Sequence, residues 1–440
     1  MVAAGTAAWA ALTNLYYSGR PLPGVTVAGH PVGGMNPDDL AARVQTLAEP
    51  VLTRHVRVRA ATAEATLAAG TLGLRPAVDR TVAAVLAAGR TGTLPQRWLR
   101  HLALLRRPED VPITYRVDLD AVRASAAGVA APLLVEPRDA VVAVSGRRLV
   151  VLHPSQDGVV LEESASIARV ATALEQRLSE VDLVVTLRRP AFTTEMADLM
   201  AEPLAQFTTR FSNNPDRVHN IQLASAALGG LLLPPEAVLS FNQVVGPRDP
   251  ARGYRKAPVL IRNELVPGDG GGVCQVSSTF YNAALLAGME IQSRTNHSRP
   301  VPYLAPGRDA AVEFGSIDLR VRNSSGNHMF VWTEATGRRI TVTLFGARQP
   351  GRSVEIAVTD HTPIPPPTHT VTRLDPTLPA GQTKIEEATS GLRARTLRIV
   401  RQDGAVLQQE VVSHSYYQPT PRTVKIGTGT GGANQRASAP

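Results

Sequence analysis

The chain has 440 residues, room for two to four domains; 43% are hydrophobic but only 4% aromatic, and 35 Gly and 34 Pro call for many turns and extended segments. Its single cysteine excludes an intrachain disulfide and any multi-cysteine metal site. The formal charge of +9 is carried almost wholly by arginine, since Lys256, Lys384 and Lys425 are the only lysines; the arginines are scattered with few aromatics between them, which argues against a nucleic-acid partner and for an anionic surface such as a membrane or wall polymer.

Residues 2–17, VAAGTAAWAALTNLYY, are apolar and uncharged. The run falls short of the ~20 residues that span a membrane, and it lacks the basic flank of a signal peptide. Two readings stand for residues 1–19: the remnant of a membrane anchor, or a short amphipathic or buried helix. No later segment approaches spanning length.

Residues 20–200 read as an α+β region. Asn36 is placed to cap a helix that begins at Pro37 and carries Leu40, Ala41, Val44 and Leu47 on its apolar face. HVRVRA (55–60) alternates like a strand and TVAAVLAAG (81–89) like a helix. AVVAVSGRRLVVLHPSQDGVVL (140–161) predicts a hairpin with Ser145-Gly146 in its turn. The next segment has the helical spacing Ile167, Val170, Ala173, Leu174. With no acid pair, metal cluster or phosphate loop, this region suits a binding or spacer role.

Residues 204–345 form a further α+β domain, 346–369 a proline-rich linker with extended character, 370–427 a β-rich module, and 428–440 a disordered tail. Asp403-Gly404 is a hairpin turn signal between two long alternating runs. The fold class is thus α+β multidomain, closing on an all-β extended module.

The cysteine lies in GDGGGVCQVSSTFYNAALLAG, residues 268–288. Val276, Phe280, Ala283, Ala284 and Ala287 share one helical face, and Gly288 can end the helix. Cys274 therefore sits in or just before the first turn, where unpaired N–H groups and the helix dipole stabilise a thiolate. Gly270, Gly271 and Gly272 permit close backbone approach and an oxyanion or ligand pocket, with Gln275, Ser277 and Ser278 adding polar groups to its rim. His297 follows in a polar turn before Pro300, a place for a catalytic base, and Asp309 or Asp318 is available to orient it; Glu313 lies between them. Two alternatives remain open. The glycine–cysteine turn can be purely architectural, and Asp318 can simply pair with Arg320 or Arg322. One thiol and one nearby imidazole, with acids at no ligand-like spacing, do not make a metal site, and no cofactor motif is present.

The segments FTTRFSNNPDRVHNIQLAS, LPPEAVLSFNQVVGPRDPARGYRKAPV, GGGVCQVSSTFYNAALLAGMEI, RTNHSRPVPYLAPGRDAAV and GSIDLRVRN, spread over residues 205–335, resemble the VanW family, known from vancomycin-resistance clusters. Cys274, Gln275, His297 and Asp309 all lie within the resemblance. Residues 60–195 resemble the peptidoglycan-binding domain found before VanW domains, through PRDAVVAVSGRRLVVLHPSQDGVVL and the helix after it. Residues 357–427 resemble a G5 domain, a β module linked to wall and sugar adhesion, through LPAGQTKIEEATSG, RIVRQDGAVLQQEVVS and TVKIGT; Ala388 stands where another glycine is expected. The resemblance implies an extracytoplasmic cell-envelope protein that binds peptidoglycan or another wall polymer, meets the membrane through its N-terminal segment, and serves envelope maintenance or glycopeptide resistance. It supplies no reaction. The residues leave as an alternative a cysteine-dependent amide hydrolase or transpeptidase acting on wall peptides through Cys274, His297 and Asp309.

Overall fold

The computed structural model describes residues 15–261 and 264–429. They divide into two units, one holding the chain up to Arg138 with Gln156–Pro190, the other Asp139–Ser155 with the chain from Ala191 onward. Residues 1–14 of the segment read as an anchor remnant, and 430–440 of the predicted tail, lie outside the described residues. Among the described residues no helix is long and apolar enough to cross a membrane.

The first unit has two cores. In one, the helix Pro37–Leu52 buries Leu40, Val44 and Ala48, and Asn36 accepts the Asp39 N–H as its cap. That face packs on Val25 and Val27, whose strand runs parallel to Glu109–Val111. In the other, helices Leu119–Ala130 and Glu163–Glu175 cover a three-stranded sheet ordered Glu180–Asp182, His55–Ala60, Ala63–Ala68. Val56 and Val58 meet Val122, Ala126, Val170 and Leu174 there. The alternation of HVRVRA thus puts its valines inward and its arginines outward.

In the second unit the hairpin Val141–Ser145/Arg148–His153 turns on Gly146 at φ 60°, one residue later than the sequence suggested. Its Ala140 and Leu149 pack with Phe192, Met200, Phe330 and Phe345, so it shares a core with residues beyond 191 rather than with its sequence neighbours. Strand β1 (Pro203–Arg210) leads to α1 (Pro215–Leu228), capped by Asn214 and opened by a proline. β2 (Leu231–Leu233) follows, then the antiparallel ribbon β3 (Lys256–Ile261) and β4 (Glu264–Asp269). α2 (Val273–Leu286) comes next, and β5 (Met329–Thr336) and β6 (Arg339–Gly346) complete an antiparallel sheet ordered β1-β6-β5-β2. Ile340, Val342 and Leu344 of β6 and Val331 of β5 face α2 residues Val276, Phe280, Ala283 and Ala284 in one core.

Every residue of α2 except Cys274 and Leu286 is buried. A helix buried all round is ordinarily apolar all round. This one carries Gln275, Ser277, Ser278, Thr279 and Asn282 inside, each with a hydrogen-bond partner.

Three long strands finish the unit: β7 (Arg352–Ile364), β8 (Gly391–Gln402) and β9 (Ala405–Tyr417), antiparallel in the order β7-β8-β9. Asp403 and Gly404 join β8 to β9 with φ of 52° and 85°, the backbone that an Asp-Gly turn supplies. A second sheet pairs Thr370–Pro379 and Thr383–Glu386 with Arg422–Gly429. β7 occupies much of the stretch read as linker: Val354, Ile356 and Val358 alternate through it and pair along β8 before the prolines begin. Residues 428 and 429, read as the start of the tail, belong to the last strand.

Candidate functional site

Cys274 is the second residue of α2, and Gly272 caps the helix at φ 115°. Cys274 keeps solvent contact while the residues on either side of it are buried. The backbone N–H groups of Gly272 and Cys274 donate to no acceptor among the described residues, as expected of a helix start.

The crowding around the glycines corrects one expectation. A Cβ on Gly271 would lie 2.6 Å from the Ala257 backbone, and one on Gly272 would lie 2.9 Å from Ile221 Cγ1. A Cβ on Gly270 would meet Arg248 Cβ at 2.6 Å. The close approach is real, but it is made by β3, α1 and the Arg248 loop of the same chain. Gln275, Ser277 and Ser278 are likewise not rim groups. Gln275 Nε2 donates to Arg210 O at 2.8 Å and to Thr209 Oγ1 at 3.0 Å, and its Oε1 accepts from Arg217. Ser277 Oγ donates to Ala310 O at 2.7 Å, and Ser278 Oγ accepts the Ala310 N–H at 2.9 Å. The two serines fasten α2 to the segment that carries Asp309.

That fastening completes a relay. His297 Nδ1 lies 2.6 Å from Asp309 Oδ2, and the His297 backbone N–H donates to the same oxygen at 2.7 Å. The carboxylate takes the Nδ1 proton, and the Cys274 sulfur lies near enough to the ring to raise its pKa. In its neutral form the thiol donates to Val312 O at 3.4 Å. Asp309 Oδ1 is held in turn by Arg294 Nη2 at 3.2 Å and by the hydroxyl of Tyr417 at 2.6 Å. His297 and Asp309 are both buried.

The electrostatics favour a thiolate–imidazolium pair. Burial depresses His297, but the hydrogen bonds to Asp309 and to the sulfur outweigh it and raise the imidazole to about 9. Burial pushes the Cys274 thiol up, and the hydrogen bond and charge of His297, with the Arg248 guanidinium, bring it below its ordinary value. Burial raises Asp309, and His297 and Arg294 hold it below the usual carboxylate range. Tyr303, pushed up by burial and by the nearby sulfur, contacts Ser278 beside the thiol.

Asp318 is elsewhere occupied. It accepts from Ser240 Oγ at 2.6 Å and from the Asn242 N–H at 2.9 Å, at the start of the short helix Phe241–Val245. It does not pair with Arg322, which binds Glu236 and Glu290. Glu313 accepts from Ser316 Oγ at an exposed turn. Of the acids after His297, Asp309 is the one brought to the imidazole. Sequence reasoning missed Arg294, Tyr417 and Arg248. Arg294, three residues before His297, was within reach of a local reading, whereas Tyr417 carries no local signal.

Three family models match the chain: "Putative peptidoglycan binding domain" over residues 65–182, "VanW like protein" over 216–345 and "G5 domain" over 355–429. The chain is 40% identical over 153 residues to "Uncharacterized protein YoaR" of Bacillus subtilis (strain 168), covering 34% of this chain and 50% of that protein. It is 29% identical over 147 residues to "Vancomycin B-type resistance protein VanW" of Enterococcus faecalis (strain ATCC 700802 / V583), covering 32% of this chain and 54% of that one. The chain thus spans about half the length of the curated relatives it matches. Among solved structures it is similar to an IgA1 protease G5 domain, at 24% identity, over 19% of this chain and 96% of that one, with a TM-score of 0.12.

Proposed function

We propose that this chain, with a peptidoglycan-binding-type domain, a VanW-like region and a G5 region in series, is a cell-envelope protein that binds the wall polymer and performs cysteine-dependent acyl transfer on wall-peptide amides. The wall-directed part rests on the three domain matches and their order. The net charge of +9 favours an anionic polymer. Likeness to a vancomycin-resistance protein supports a role in wall maintenance under glycopeptide challenge. The apolar residues 2–17 are the segment that would meet the membrane.

One arrangement carries the chemical part: His297 is hydrogen-bonded to Asp309 and electrostatically coupled to the Cys274 sulfur, at a helix start with free backbone N–H groups. The sulfur attacks an amide carbonyl carbon, and the carbonyl oxygen draws on the unbonded N–H of Cys274. The C–N bond breaks, and the amine leaves with the proton from the imidazolium. A thioester remains on Cys274. Water attacks it in a hydrolase and an acceptor amine in a transpeptidase; either step breaks the S–C bond and restores the thiol.

The chain is incubated with purified peptidoglycan sacculi and pelleted at moderate and high salt, then with soluble wall peptides for intact-mass measurement. Co-pelleting that survives high salt, and an acyl adduct that Cys274→Ala abolishes, are expected. Protein left wholly in the supernatant would end the wall-binding reading. Absence of any adduct or turnover with a folded chain would end the acyl-transfer reading.

A further inference from the structure

Among the described residues Arg248 has no hydrogen-bond partner for its guanidinium. Its Nε, Nη1 and Nη2 are all buried, and none makes a hydrogen bond. Its guanidinium stands 5.7 Å from the ring centroid of Phe241 and 6.0 Å from that of Phe314. Its stem fills the space above Gly270, four residues before Cys274. Phe314 lies two residues beyond Val312, the carbonyl that meets the Cys274 sulfur. The planar fork is therefore lodged between the glycine turn and the 312–314 segment, on the same two elements that frame the thiol. The carboxylate whose field it feels, Asp318, is already bound by Ser240 and Asn242 and forms no ion pair with it.

A buried cation without a counter-ion is costly, and proteins pair such groups. Aromatic faces soften the cost but leave every N–H unused. Three buried donors in one fork match a carboxylate, which accepts two parallel N–H bonds in plane.

We propose that Arg248 is the specificity residue of the Cys274 site and receives a free carboxylate of the substrate, so that the amide attacked lies beside an α-carboxylate. This deepens the acyl-transfer reading and rests on it. The class of substrate is a peptide whose terminal residue carries the carboxylate. Burial lowers the Arg248 guanidinium and the sulfur's charge raises it, in keeping with a site that waits for an anion.

The test uses the whole chain, whose one cysteine makes alkylation site-specific. Iodoacetate and iodoacetamide form the same S–C bond and expel the same iodide, and differ in the carboxylate. At neutral pH the native protein should react faster with iodoacetate. Arg248→Gln should lower the iodoacetate-to-iodoacetamide rate ratio about tenfold or more, the scale of a lost charge-assisted hydrogen bond. Arg248→Lys should fall between, keeping the charge without the fork. If Arg248→Gln does not fold, the native chain decides alone: an N-acetyl dipeptide with a free carboxylate should slow iodoacetamide, and its C-terminal amide should not. A ratio unchanged in a folded Arg248 variant, or equal protection by acid and amide, overturns the assignment while the reactive thiol stands. A native thiol inert to both reagents overturns the acyl-transfer reading itself.

Discussion

The hydroxyl of Tyr417, in the last strand of the β7-β8-β9 sheet, donates to Asp309 Oδ1 at 2.6 Å and accepts the Gly307 N–H at 2.6 Å. Around it, Thr396 Oγ1 bonds Gly307 O, and Arg294 reaches Ser415 Oγ. The β sheet thus holds the loop that orients His297. It acts as part of the site's support as well as a module in its own right.

Tyr417→Phe should destabilise the chain by about 1–3 kcal/mol, because it strips a buried carboxylate of a donor and a buried N–H of an acceptor. Chemical denaturation with an unchanged m-value checks this. A midpoint equal to wild type would show that water replaces both bonds.

The pH dependence follows from three linked groups. His297, raised to about 9 from 6.5, lends stability that is full below about 6.5 and is lost as pH rises through about 9. Cys274, lowered from 9.0, lends stability that is full above that value and is lost as pH falls through its depressed one. Asp309, lowered from 3.8, lends stability present above that value and lost on further acidification. Between the depressed thiol and the raised imidazole the ion pair is intact. Iodoacetamide alkylation of Cys274 should therefore begin to slow only at a pH below that at which an ordinary thiol, with a pKa of about 8.5, begins to slow. A titration midpoint at or above the ordinary one would rule out the thiolate–imidazolium pair.

Gly271→Ala should cost about 1–3 kcal/mol, since its new Cβ would meet the Ala257 carbonyl carbon and oxygen at 2.6 Å, and backbone cannot yield as a side-chain tip can. Gly128, inside the helix Leu119–Ala130 with nothing within 4 Å of its Cβ position, is the matched control. Gly128→Ala should gain about 0.5–1 kcal/mol. Thermal melts of the two variants moving in the same direction would contradict the packing account.

Ser278→Ala should cost about 1–3 kcal/mol, because the buried Ala310 N–H loses its acceptor next to Asp309. Thr at the same position keeps the hydroxyl and should recover part of the loss. If alanine and threonine behave alike in denaturant titrations, the bond to Ala310 does not hold the loop.

Local chemistry was legible in the sequence wherever a residue's role is settled within a turn or two. Asn36 before Pro37 caps its helix, and Asp403-Gly404 takes the two positive φ values of a tight hairpin. The glycine run puts Cys274 at a helix start because capping and backbone freedom are short-range properties. His297 was legible as a base because it lies in a polar turn close to the thiol in sequence. The acyl-transfer reading names Asp309 over Asp318, but no local signal decides between them. Both acids follow the imidazole closely, and only the path of the chain sends one to His297 and the other to Ser240 and Asn242. The polar residues of α2 look like a rim in one dimension and are buried braces in three, because the β1-β6-β5-β2 sheet and the 308–312 segment close over them from distant sequence. Tyr417 lies 108 residues from the carboxylate it holds. Its partner, and the lack of a hydrogen-bond partner for Arg248 among the described residues, depend on which surfaces exclude water together, and tertiary packing alone decides that.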